Sequence, residues 1–296
     1  MAETTQVTAE LAGRFRSPQL AERFAAVYDS ALASWPVPVT ARDIPGEYGT
    51  THVQVCGPDD GPPLVLLHGG GCTSAVWFAN AGSLAAGHRV YAPDQLGEAG
   101  LSRPAGRPAR RPADLVRWLD GLLDGLGVPQ AALCGHSYGG WLALSYALSR
   151  PGRVTRLALL DPTDCFAGLS AGYRLRAVPL LARPTERRAR AFYEWEAGRV
   201  ALDPTELDLA GLGAEFRGSR LILPRRPAAA ALRAARLPVL VLLAQRSAAH
   251  DVRRVGENAR RLLPHATVTT LPGLAHHSMP AADPGQLTEE LTAFLA

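Results

Sequence analysis

The sequence predicts an α/β fold in which helices cover both faces of a mostly parallel sheet. Apolar runs of strand length alternate with helical patterns from Pro63 onward. Such uninterrupted apolar runs are typical of strands that are buried on both faces of a parallel sheet. The chain has 296 residues, of which 47% are hydrophobic and 20% charged, and this is enough for one such domain that carries an insertion.

The individual elements follow from apolar periodicity and from turn residues. The predicted strands lie at 51–55, 63–67, 88–92, 131–134, 154–160, 239–243 and 266–271. The predicted helices are a lead-in within 1–35, then 115–126, 138–148 and 252–263, and a last helix that begins near Pro284.

The stretch 162–237 interrupts this alternation, because it is arginine-rich and helical in pattern and has no apolar strand run. Open α/β sheets bind ligands at the carboxyl ends of their strands. We therefore expect 162–237 to form a cap over that edge, between a first part of the core at 1–161 and a second part at 238–296.

The composition argues against several classes of partner. All 31 basic residues are arginine, the net charge is only +4, and the densest basic clusters, 107–111 and 183–190, lack interleaved aromatic residues. A nucleic-acid groove needs a continuous basic stripe, so no nucleic-acid partner is expected. The four cysteines show no C-x-x-C spacing, which predicts free thiols and no metal site.

The sequence also predicts neither export nor membrane insertion. Residues 1–6 lack the basic and apolar regions of a secretory signal. The longest apolar run, at 238–244, is far shorter than the ~20 residues that span a bilayer. With free thiols, this favours a cytoplasmic location.

The strongest motif is Gly135-His136-Ser137-Tyr138-Gly139, a G-x-S-x-G that follows a buried strand and precedes a helix. A tight turn between strand and helix lifts the central serine hydroxyl above the sheet. The N–H of Tyr138 would lie at the helix N-terminus, where a developing oxyanion is stabilised. Ser137 is thus the candidate nucleophile, and Tyr138 is a candidate oxyanion donor.

Two loops supply the partners that such a serine needs. His68-Gly69-Gly70-Gly71 follows a buried strand, and its glycines allow close approach of the backbone, so Gly70 is the candidate second oxyanion donor. His276 and His277 follow the last strand, where a general base must lie to reach the serine. We prefer His276 as the base and expect His277 to pack or to line the pocket.

Together these segments resemble the α/β-hydrolase superfamily, close to the carboxylesterase-like serine hydrolases with a helical cap. The resemblance extends from about Gly46 to the C-terminus and rests on 49–53, 68–77, 93–102, 159–162, the serine motif and the histidine loop. It implies an eight-stranded, mostly parallel sheet, acyl-transfer chemistry and no cofactor.

The acid of the expected triad departs from the family pattern. The family carries it on the loop after the seventh strand, where this chain has Ser247. Asp251, four residues later, is the preferred replacement, although it is also suited to cap the following helix. Asp161 and Asp164, after the preceding strand, remain alternatives, as does the absence of any acid.

These features predict a serine hydrolase that cleaves a small carboxylic ester or related acyl compound through an acyl-enzyme on Ser137. The altered acid loop keeps two alternatives open. One is a thioesterase, cyclase, acyltransferase or lyase that acts on a specialised metabolite, and the other is a non-catalytic small-molecule binding module. Serine in place of a carboxylate argues against epoxide hydrolases and haloalkane dehalogenases. The identity of the substrate and the oligomeric state stay open.

Overall fold

The computed structural model describes residues 11, 13–218, 222–281 and 285–296. Residues 1–10 of the predicted lead-in, and Pro284 at the predicted start of the last helix, lie outside these ranges. The strands are β1 (Thr40–Gly46), β2 (Gly49–Cys56), β3 (Pro63–Leu67), β4 (Arg89–Pro93), β5 (Arg103–Pro104), β6 (Ala131–His136), β7 (Val154–Leu160), β8 (Val239–Ala244) and β9 (Thr267–Leu271).

Eight of the strands form one continuous sheet in the order β1-β2-β4-β3-β6-β7-β8-β9, and the two-residue β5 pairs with β2. Only the pairs that involve β2 are antiparallel, and every pair from β4 to β9 is parallel. The predicted mostly parallel sheet is therefore confirmed. The sequence did not predict β1, because Ile44 is its one buried residue and it has no apolar run.

Alternate residues of the central strands enter different cores. Leu67 and Leu243 belong to the core on one face of the sheet, whereas Leu66 and Leu242 belong to the core on the other face. Side chains of a strand alternate between faces, so two apolar cores require apolar residues at every position. This is the physical origin of the uninterrupted apolar runs.

The helices are α1 (Pro18–Ala33), α2 (Ala81–Ala85), α3 (Pro112–Leu126), α4 (Tyr138–Ser149), α5 (Ala171–Ala182), α6 (Glu186–Ala197), α7 (Pro204–Gly213), α8 (Ala229–Ala234), α9 (Val252–Leu262) and α10 (Gly285–Leu295). Short 3₁₀ turns lie at Ser74–Ala79 and Pro151–Arg153. Local caps set several starts. Ser17 caps α1, which has Pro18 at its first position, and Thr185 caps α6.

In the described part of the chain, no helix is long and apolar enough to cross a membrane.

Helices α5 to α8 all lie between β7 and β8, and the described residues of 162–237 contain no strand of the sheet. The lead-in helix α1 supports this insertion, a contact that the sequence did not predict. Arg23 on α1 pairs with Glu186 on α6 at 3.1 Å, and the ring of Phe15 packs edge-on against Phe216 at 5.4 Å between centroids. The segment before the sheet thus braces the segment inserted within it.

A buried carboxylate fixes the loop that follows β4. Asp94 accepts hydrogen bonds from the backbone and hydroxyl of Ser74, from the Tyr28 hydroxyl and from the backbone N–H of Leu101. Gly100 lies against it at φ +140°, where an added Cβ would stand 2.5 Å from the Asp94 carboxyl carbon. Asp94 thus ties down the glycine loop that follows β4.

Candidate active site

The turn between β6 and α4 leaves a single residue, Ser137, outside both elements. Its backbone adopts φ 53° and ψ −114°, a conformation that L-residues rarely adopt. A Cβ on Gly135 would stand 2.4 Å from the Gly139 carbonyl oxygen, and one on Gly139 would stand 2.2 Å from the Leu67 carbonyl oxygen. Glycine is therefore required on both sides of the serine.

Three side chains form a continuous hydrogen-bonded chain. The Ser137 Oγ lies 2.8 Å from His276 Nε2, and His276 Nδ1 lies 2.6 Å from Asp161 Oδ2. Both the imidazole and the carboxylate are fully buried. Because an ionised carboxylate only accepts, His276 donates its Nδ1–H to Asp161 and leaves the Nε2 lone pair for the serine proton. The structure thus brings together Ser137 and His276, as the sequence predicts.

The preferred acid, Asp251, is not part of this chain, and that prediction is wrong. Asp251 is exposed and caps α9, where its Oδ1 accepts the N–H of Arg254 at 3.1 Å. Asp164, another alternative, pairs with Arg226 at 3.7 Å. Asp161 takes the position instead, because it directly follows β7, the strand that lies between β6 and β8. The carboxyl ends of neighbouring parallel strands share one edge, which brings Asp161 beside the turn that carries Ser137, the nucleophile elbow.

The residue at the family's usual acid position has a different role here. Ser247 donates its hydroxyl to Asp161 Oδ2 at 2.7 Å, while Asp161 Oδ1 accepts from the Ala244 N–H at 3.2 Å and from His250 Nε2 at 3.0 Å. Burial alone would raise the pKa of Asp161. The charge and hydrogen bond of His250, together with the hydrogen bond of His276, outweigh burial and hold that pKa well below its ordinary value. Asp161 is therefore ionised.

Thr163 is a member of the site that sequence reasoning missed. Its hydroxyl lies 2.9 Å from the Ser137 Oγ, and its backbone N–H donates to the Ser137 carbonyl at 3.1 Å. When Ser137 donates its proton to His276, Thr163 is the donor to Ser137. Its position two residues after Asp161, at the same end of β7, is the sequence feature that could have indicated a place in the site.

The loop 68–71, which carries the candidate oxyanion donor Gly70, lies beside the Ser137 turn and is held by a neutral histidine. A Cβ on Gly70 would make ordinary contact with the Tyr138 Cβ at 3.7 Å, so the two candidate donors are neighbours. His68 Nε2 accepts the N–H of Gln95 at 3.0 Å, and its Nδ1 lies 2.8 Å from the Gly69 carbonyl oxygen. Burial lowers the pKa of His68, so this imidazole stays uncharged and keeps one acceptor and one donor.

His277 packs against tyrosines of the insertion between β7 and β8. Its ring stacks on Tyr193 at 3.8 Å between centroids and 14° between planes, and its Nε2 lies 3.4 Å from the Tyr173 hydroxyl. Burial, with the neighbouring His276 and His136, lowers the pKa of His277 well below its ordinary value. His277 is thus a neutral packing residue under α5 and α6.

The carboxylate of Glu196 connects the insertion to the loop that carries His276 and His277. From α6, its Oε1 accepts the N–H groups of Ala248 and His276 at 2.9 and 3.2 Å, and its Oε2 accepts that of His277 at 3.1 Å. Glu196 is buried, so its bonds to His276 and His277 are shielded from water, whereas the bond to Ala248 is partly buried. The insertion therefore helps to set the position of the loop that carries His276 and His277.

The chain belongs to the α/β hydrolase family, since the family's sequence model matches residues 64–290. It is similar to the carboxylesterase YbfK of Bacillus subtilis, with 27% identity over alignments that cover 95% of this chain and 96% of the relative. It is also similar to an uncharacterized carboxylesterase, nap, of the same organism, with 28% identity and 94% of each chain covered.

Solved structures show the same similarity. The crystal structure of carboxylesterase CesB (YbfK) from Bacillus subtilis matches with a TM-score of 0.87 and 27% identity, over 93% of this chain and 97% of that one. The crystal structure of naproxen esterase (carboxylesterase NP) from Bacillus subtilis matches with a TM-score of 0.86 and 27% identity, over 94% and 98%.

Replacing Glu196 by alanine should weaken both folding and activity. Two buried N–H groups and one partly buried N–H group would lose their acceptor, which costs about 3 kcal/mol of unfolding free energy. A displaced histidine loop would lower kcat/KM by about 10- to 100-fold. Urea unfolding and ester hydrolysis measure the two effects. Glu194→Ala, an exposed change on the same helix, is the control, and equal behaviour of both variants would contradict the role of Glu196.

Proposed function

We propose that this protein is a serine carboxylesterase that hydrolyses small carboxylic esters through an acyl-enzyme on Ser137. The observation that carries the proposal is the buried chain of hydrogen bonds from Asp161 through His276 to Ser137, with the serine at the elbow. A nucleophile within reach of a base, which a third group orients, is the arrangement that nucleophilic catalysis requires.

The first half-reaction forms the acyl-enzyme. His276 Nε2 takes the hydroxyl proton while the Ser137 Oγ attacks the ester carbonyl carbon. The carbonyl oxygen becomes an oxyanion, which the N–H groups of Gly70 and Tyr138 stabilise. The tetrahedral intermediate then expels the alcohol, which receives the proton from His276.

The second half-reaction reverses these roles with water as the nucleophile. His276 removes a proton from water, the hydroxide attacks the acyl carbon, and Ser137 leaves with the returned proton. Asp161 stays ionised throughout and stabilises the imidazolium that forms in each half-reaction. Its second task is to keep the Nδ1 proton in place, so that Nε2 faces the serine.

Similarity to carboxylesterases over nearly the whole chain supports this choice of reaction. A non-hydrolytic enzyme and a non-catalytic binding module were favoured only because Ser247 stands where the family has its acid. Asp161 supplies a buried, ionised carboxylate in its place, which removes the support for both alternatives. Four buried free cysteines support a cytoplasmic location, where thiols remain reduced.

A cavity of about 290 Å³ is the proposed site for one substituent of the ester, although Ser137 and His276 are not among the residues that line it. Its wall includes the side chain of Tyr138, the residue after the nucleophile, together with Gln95, which bonds to His68. The remaining wall is largely apolar and includes Leu96, Ala109, Leu115 and Ile222, and the charged residues Glu98 and Arg107 also line it. An apolar acyl or alcohol group fits such a lining better than a charged one.

A fluorophosphonate probe, followed by intact mass, tests the nucleophile. Wild-type protein should gain one adduct, and Ser137→Ala should gain none and should hydrolyse p-nitrophenyl butyrate at least about 10³-fold more slowly. Ser149→Ala, which changes an exposed serine at the end of α4, is the control and should behave as wild type. Full turnover by folded Ser137→Ala would contradict the proposal.

Filling the cavity should change selectivity for ester size. Ala109→Trp places an indole in the wall and should lower kcat/KM for p-nitrophenyl octanoate by about 10-fold or more, while the acetate ester is little affected. Arg110→Trp adds the same ring at an exposed neighbouring position outside the lining. If both variants treat the two esters as wild type does, the cavity is not the substrate site.

A further inference from the structure

The acid of the triad is shared between two imidazoles. Asp161 Oδ2 accepts from His276, and Asp161 Oδ1 lies 3.0 Å from His250 Nε2. The two rings stand 6.2 Å apart between centroids and nearly at right angles, with the carboxylate between them. His250 is as completely buried as its two partners. A triad requires only one imidazole on its acid, so the second is unexplained by the hydrolytic mechanism.

The surroundings of His250 favour its charged form. Burial alone would lower the pKa of His250, but the charge and hydrogen bond of Asp161, with the charges of Glu196 on α6 and Asp164 on the same loop as Asp161, raise it above the ordinary value. His276 is a further titratable group that faces it. His250 can therefore take up a proton near neutral pH while remaining bonded to Asp161, because its Nε2 donates in both states.

The other histidines around the triad do not share this behaviour. Burial and the neighbouring His276 lower the pKa of His136 to about 3, and they hold that of His277 well below its ordinary value. Burial also lowers the pKa of His68. These three rings stay neutral, so a positive charge at His250 is not masked by a change at any of them.

We propose that His250 is a positioning residue of the active site that holds Asp161 toward His276 and, by taking up a proton itself, reduces the negative charge available to His276. With His250 neutral, the carboxylate acts on His276 alone. With His250 protonated, the carboxylate is already paired, and a second positive charge about 6 Å away makes protonation of His276 less favourable. This inference rests on the proposed roles of Asp161 and His276.

Histidine side-chain NMR tests the coupling in the resting protein, where no substrate is needed. His250→Gln keeps a neutral donor near the Nε2 position but cannot become charged. In this variant, the pH at which His276 takes up its proton should rise by about 1 to 2 units relative to wild type. His265→Gln, an exposed histidine, is the matched control and should leave His276 unchanged. A change of less than about 0.3 unit in folded His250→Gln would overturn the proposal.

The wild-type protein alone gives a second test that does not depend on folding of the variant. His250 should take up its proton above about pH 6.5, the ordinary value for histidine, and the His276 signal should respond in two steps. A single-step response of His276, or a neutral His250 at pH 6, would overturn the proposal. Coupled titration without ester hydrolysis would leave this proposal standing and refute the proposed function alone.

Kinetics separate the proposed role from simple structural support. On the acid side of the plot of log(kcat/KM) against pH, the wild-type curve should change slope twice, once for each imidazole. The curve of His250→Gln should change slope once and coincide with the wild-type curve at high pH. A purely structural histidine would lower kcat/KM equally at all pH values and leave the shape of the profile unchanged, and that result would overturn the proposal.

Discussion

Asp161 carries a negative charge at a place that solvent does not reach, and four hydrogen-bond donors compensate it. They come from the end of β8, from Ser247 and His250 on the loop after it, and from His276 on the loop after β9. An uncompensated buried charge is very unfavourable, so each of these donors must be in place when the protein folds. One carboxylate thus fixes two loops relative to the nucleophile elbow.

A second buried carboxylate, Glu196, holds the same loops from the side of the cap. Three of the four donors to Asp161 are side chains, whereas Glu196 accepts from the backbone N–H groups of Ala248, His276 and His277. The histidine therefore lies between a carboxylate of the core and a carboxylate of the insertion. The lead-in segment contacts the same insertion, because Arg23 on α1 pairs with Glu186 and Phe15, just before α1, packs on Phe216.

Local sequence was sufficient for the features that depend on backbone geometry. The glycines around Ser137, the loop of Gly70 and the position of His276 after the last strand all carry short-range signals. The triad acid carries no such short-range signal, because Asp161, Asp164 and Asp251 all follow strands of the same sheet. What separates them is tertiary: Asp161 faces the elbow, whereas Asp251 faces its own helix as a cap. Thr163 and Glu196 were missed for the same reason, since their partners are distant in sequence.

The central claim is that Asp161, and not Asp251, orients the catalytic histidine. The most direct measurement is kcat for p-nitrophenyl butyrate with folded Asp161→Asn beside Asp251→Asn, which keeps a residue suited to cap α9. The account predicts a loss of about 10⁴-fold for Asp161→Asn and about wild-type activity for Asp251→Asn. Activity of Asp161→Asn within about 10-fold of wild type, or an equally large loss in Asp251→Asn, would contradict it.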